Sequence, residues 1–168
     1  MQTLINAVVI LALIAWMGYR QLTWRAVAPS AMYRTPLVLG IIGVVMLSQQ
    51  PSPGSISALD IAVLAVELVI SLGIGAWMGS IAHLRALAEP VSVGRGGVAR
   101  VESRTGALGI VLWVSVIVVR IGIDVLAGIA GSHLASATGV IFLVLAANRA
   151  ARVMMLARRI GAIRTVEA

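Results

Sequence analysis

Of 168 residues, 60% are apolar and only 11% charged, where a soluble domain carries charge on roughly a quarter, so the solvent of this chain is lipid. The absence of cysteine excludes disulfides, thiol redox chemistry, iron–sulfur ligation and Cys-ligated zinc. The net charge of +7 comes entirely from arginine among the basic residues; in a chain of mean hydropathy +1.04 that excess reads as loop charge facing anionic lipid, not as a nucleic-acid surface.

Five apolar segments follow in order, each bounded by charge or turn residues. The first, about 4–18, opens with "MQTLINAVVILALIAWMGYR". It has no positive leading region and no small-residue cleavage site, so it reads as a retained span rather than a signal peptide. The second, about 35–48, has Pro36 in its first turn. It is short for a hydrocarbon core of ~30 Å, and either extends backward over "SAMYR" or thins the bilayer locally. The third runs over about 57–80, the fourth over about 106–131 and the fifth over about 138–156. Together they make one integral membrane domain over 1–168, an all-α polytopic bundle of five spans.

The connections set its orientation. Arg20, Arg25 and Arg34 lie between spans one and two, and Arg85, Arg95, Arg100 and Arg104 between three and four. Arg158, Arg159 and Arg164 follow span five. "QQPSPGS" and "GSHLASA", the other two connections, hold no arginine. Arginine therefore marks every second connection, which by the positive-inside rule puts the N-terminus outside and the C-terminus in the cytoplasm. The arginine-only, alanine- and glycine-rich composition points to a bacterial inner membrane.

The longest polar connection, "EPVSVGRGGVARVES" at 89–103, has valines at 91, 93, 98 and 101 around a glycine turn. That pattern predicts a small two-stranded cytoplasmic β-hairpin.

Charge inside the spans is the feature that most needs an explanation. "VSVIVVRIGIDVLAGIAG" at 114–131 holds Arg120 and Asp124 in an otherwise unbroken apolar run, and a charge at the bilayer centre costs roughly 2.5–3.5 kcal/mol on insertion scales. Counting ~1.5 Å per residue from the outer ends puts Glu67, Arg120 and Asn148 at ~15–16 Å, one level on three helices. Asp124 lies a turn above Arg120 and Asp60 about two turns above Glu67, while Arg149 and Arg152 lie in the inner half of span five. Asp60, Glu67 and Asp124 balance Arg120, Arg149 and Arg152, which predicts mutual neutralisation inside the bundle, with Arg120 pairing Glu67 and sharing its guanidinium with Asp124. Such a network either fixes helix register, lines an ion path or is completed by another subunit.

Other motifs carry less. Gly75 and Gly79 in "GIGAWMG" have the small-xxx-small spacing that lets helices approach. His83 and His133 fall at opposite membrane faces, so one metal or haem cannot use both. Ser71 and Ser115 have neither a base nor a GxSxG context, and "GRGG" lacks the Lys-Ser/Thr of a phosphate loop. No enzyme activity and no cofactor is expected.

The stretches "RTPLVLG", "VSVGRGGVARV", "SRTGALGIVLWVSVIVVRIGID" and "AANRAARVMMLARR" resemble the CcdC-like family of small bacterial membrane proteins. The resemblance covers most of the chain and implies a polytopic bundle with a buried arginine in the fourth span, here Arg120; it implies no known reaction. Two functions stay open: a small transporter or channel lined by the midplane charges, or an accessory or assembly subunit docking a larger membrane complex. A homo-oligomeric or membrane-protein partner is compatible with both, and nucleic acid is not expected.

Overall fold

The computed structural model describes residues 15, 16, 18–49, 57–93, 97–131 and 137–166. Most of the first expected span, the turn of the expected hairpin and His133 lie outside them. After helical residues 18–22, the elements run β1 (Arg25–Val27), α1 (Pro29–Met32), α2 (Arg34–Ser48), α3 (Ala58–Ser80), β2 (His83–Val93), β3 (Gly97–Arg104), α4 (Gly106–Ile129) and α5 (Thr138–Val166).

Among the described residues three helices are long and apolar enough to cross a membrane: Ala58–Ser80, Gly106–Ile129 and Thr138–Ala162. At 1.5 Å per residue each reaches ~35 Å or more, beyond a core of ~30 Å. The described chain thus holds three such helices, not five. α2 has 15 residues, about 22 Å at that rise. The backward extension over "SAMYR" exists, but as the separate turn of α1. Pro36 explains the break: it has no N–H to give the Met32 carbonyl, and its ring clashes with that carbonyl. Helical bonding therefore restarts at Arg34, with the Leu37 N–H donating to the Tyr33 carbonyl at 3.2 Å.

α5 is the central helix, packing on α2 along one side and on α3 along another. Glycines permit both approaches. A Cβ on Gly43 would sit 2.9 Å from the Leu143 backbone nitrogen, and one on Gly139 would sit 2.9 Å from the Gly43 carbonyl. On the other side, a Cβ on Gly79 would meet the Arg152 carbonyl at 2.7 Å, and one on Gly75 would overlap the Asn148 carbonyl. Gly75 and Gly79 thus let α3 lie backbone to backbone against α5. Ala137, Val140 and Val144 form a small apolar core with Leu47, Leu64 and Leu68 away from the sheet. α4 packs chiefly on α3 and is the least enclosed of the three.

The expected hairpin is longer than 89–103 and is part of a three-stranded antiparallel sheet of order β1-β3-β2. β2 begins three residues after α3 ends, pairing His83 with Arg104 and Arg85 with Glu102. The register slips between Ala86 and Val91, around Pro90, which cannot donate to the ladder. β1 adds Arg25–Val27 against Val101–Ser103. Three residues are too few for strand alternation to be read from sequence, and it is tertiary packing that makes this strand. The inward residues of β3 are Gly97, Ala99 and Val101, while Val98 points outward. Gly106, at φ 74°, turns the chain from β3 into α4 through a left-handed conformation that glycine adopts without strain.

Candidate functional site

Glu67 lies near the middle of α3 and Arg120 near the middle of α4. The guanidinium spans the gap: Nη1 donates to Glu67 Oε2, and Nη2 lies 3.1 Å from Asp124 Oδ1, one turn along the same helix. Arginine suits this geometry because its planar fork presents donors to two carboxylates at once. The Glu67 side chain is only 1% exposed and that of Asp124 30%, so Glu67 is the enclosed member and Asp124 stands at the open edge.

Beside the pair is a cavity of about 20 Å³ bounded by Glu67, Ser71, Arg120 and apolar side chains including Ile74, Val116 and Val144. That is room for one water-sized species. Glu67 Oε1 is buried and has no hydrogen-bond partner among the described residues.

The other in-span polar residues sit elsewhere. Asn148 donates from Nδ2 to the Ser71 carbonyl at 3.0 Å, a turn beyond Glu67 on α3. It joins the same helix at nearly the same level but bonds to backbone. Asp60 closes the start of α3 in a capping box. Its Oδ2 accepts from the Ser57 N–H at 2.9 Å and from Oγ at 2.7 Å, and its own N–H donates to Ser57 Oγ at 3.1 Å. Arg152 donates from Nη2 to Thr105 Oγ1 at 2.5 Å, joining α5 to the residue that precedes α4. Arg149 and Arg152 line a larger cavity at the sheet end of the helices. Among the described residues, Glu67 and Asp124 pair directly with Arg120. The neutral sum of six separates into a helix cap, a three-member cluster and two arginines near the sheet.

Arg159 adds an attachment that loop-charge counting does not suggest. Its Nη1 donates to the carbonyls of Ser80 and Ala82, each at 2.6 Å, and of Gly79 at 3.2 Å. These are carbonyls left open where α3 ends, and a cation there also faces the negative end of the helix dipole. Only the run of arginine at the end of α5 hints at it in the sequence.

Across the sheet, Arg85 pairs with Glu102 at 2.8 Å, while Arg85 and Arg104 lie 4.9 and 5.1 Å from the ring centre of Trp24. His83 starts β2, and no group of three His, Asp or Glu able to hold a metal occurs among the described residues. Ser115 donates to its own helix at the Val111 carbonyl, 2.9 Å away. Comparison with protein-family models, with curated proteins and with solved structures finds no match.

Proposed function

We propose that the chain is a non-enzymatic, transporter- or channel-like integral membrane protein whose centre is the Glu67–Arg120–Asp124 cluster, seating a proton or one small cation. One observation carries this reading. Two carboxylates share one guanidinium among apolar helices, and Glu67 Oε1 is left without a hydrogen-bond partner among the described residues. With all three ionised the cluster has one negative charge in excess, which is costly among apolar side chains. A proton or monovalent cation at Glu67 offsets it. The adjoining cavity of about 20 Å³ suits a seat for a single ion better than a wide aqueous pore.

The reading includes five spans in a bacterial inner membrane, with the N-terminus outside and the C-terminus cytoplasmic. What supports the orientation is the arginine in every second connection. It also keeps the likeness to the CcdC-like family on the stretches quoted above. Vesicles containing the chain are expected to pass protons, Na⁺ or K⁺ down an imposed gradient faster than protein-free vesicles, and Glu67→Gln is expected to abolish the difference. Equal rates for all three ions with and without protein would refute transport.

A second reading, an accessory or assembly subunit, is favoured by a different feature. α4 exposes Leu108, Val111, Val118 and Val125 along its length, an apolar stripe at helical spacing. Recovery of a stoichiometric partner from mild detergent would support it; recovery of the chain alone or as a homo-oligomer would count against it.

A further inference from the structure

A second cavity, larger than the one at Glu67, stands apart from it. It lies at the sheet end of the helices, measures about 370 Å³ and is lined by Arg20, Arg25, Arg149 and Arg152 together with Thr35 and Ser103. Among the described residues no acidic side chain lines it. Its remaining wall includes Met32, Val153 and Leu156, so a cluster of guanidinium groups stands beside an apolar surface. We infer that this cavity is a binding site for a phosphate group carried on a partly apolar body.

The chemistry follows from the charge. Arg20 and Arg149 are close enough for their like charges to act on each other, as are Arg149 and Arg152. Four like charges around one cavity repel, and repulsion near low-dielectric walls is stronger than in water. An anion removes that cost. A guanidinium has five N–H donors, and Arg152 gives one to Thr105 Oγ1, which leaves most of its fork for a ligand. Arginine forks match phosphate oxygens in pairs, and the hydroxyls of Thr35 and Ser103 supply further donors. Ligand pockets of ~300–1,000 Å³ are usual for small molecules, so the volume admits a phosphate with a substituent.

The four arginines come from two places in the chain. Arg20 and Arg25 precede α1, whereas Arg149 and Arg152 are neighbours on one face of α5. A site assembled from both ends is a built concavity, unlike the exposed charge of Arg158 farther along α5. The phosphate comes either from a lipid headgroup or from a free organic or inorganic phosphate, and the test separates the two.

The full chain, purified in an uncharged detergent, is titrated with inorganic pyrophosphate and, separately, with short-chain phosphatidylglycerol. Saturable binding of pyrophosphate identifies a free phosphate ligand; binding of phosphatidylglycerol alone identifies a headgroup. In either case Arg149→Gln and Arg25→Gln should each weaken binding by about tenfold or more, the usual effect of losing a charge-assisted pair. Arg158→Gln should leave it unchanged. Arg25 stands on the short outer strand of the sheet, so its variant carries the test if Arg149→Gln fails to fold. No saturable binding of either probe overturns the site, as do cavity variants that bind like the unaltered chain or an equal loss with Arg158→Gln.

Discussion

Asp60 and Asp124 carry the same charge in spans of similar hydropathy, yet their neighbours give it different tasks. Asp60 lies three residues past Ser57 and accepts from that residue's N–H and hydroxyl, facing the positive end of the helix dipole. Asp124, in mid-helix, has Arg120 beside it. Ser57→Ala is therefore expected to cost about 1 kcal/mol through the cap alone. Its effect on thermal unfolding in detergent should add to that of Glu67→Gln, two turns away; a strong coupling would mean that Asp60 belongs to the midspan cluster. Counting residues from a span's end fixes how deep a side chain lies, and Glu67 and Arg120 share a depth. It does not fix the direction in which the helix turns that side chain. Asn148 shows the gap, reaching the same level on α5 and bonding to the Ser71 carbonyl. Arg149 and Arg152 show it again, since their charge balances a sum while their positions line a cavity with Arg20 and Arg25.

Between α3 and α5, fit comes from the absence of side chains. A Cβ on Gly75 would overlap the Asn148 carbonyl, so even Gly75→Ala must push the helices apart, at about 1–3 kcal/mol for overpacking. On α4, a Cβ on Gly122 would meet nothing within 4 Å. Gly122→Ala should be neutral or stabilising by roughly 0.5–1 kcal/mol, the gain in helix propensity. Paired melting curves check the contrast, and equal effects would contradict the packing. The small-xxx-small spacing made this contact legible in sequence. The ends of α3 and α4 were legible too, because apolar runs stop at charge or glycine. Other features were hidden. Pro36 falls in the first turn of α2, as its place in the sequence suggests, but its effect on the Met32 carbonyl also splits α1 from α2. β1 has three residues, and its pairing with β3 depends on a sheet formed far along the chain.

At the scale of the molecule, α5 is gripped by its neighbours and α4 is attached along one side. α5 meets α2 and α3 through glycines, and Arg159 ties it to the end of α3. α4 leans on α3, joined to it in mid-span by Arg120 to Glu67, while Arg152 of α5 holds Thr105, the residue before α4, at the sheet end. The Glu67–Arg120 contact is thus both the seat proposed for an ion and the main cross-link holding the outer helix at its depth. The two roles make unequal demands on the pair. Glu67→Gln leaves Arg120 with Asp124, a neutral pair, and should be mild. Arg120→Leu leaves Glu67 and Asp124 with no cation between them, and should cost about 3–5 kcal/mol, the range for breaking a buried pair from one side.

The most direct test is the double-mutant cycle on these two positions, read as unfolding free energy of the reconstituted chain. Removing Glu67's charge in the Arg120→Leu background should restore part of the lost stability, so that the double variant is better than the sum of the singles by about 1 kcal/mol or more. Strictly additive losses would contradict the account, because they would mean that the two side chains do not neutralise each other inside the bundle.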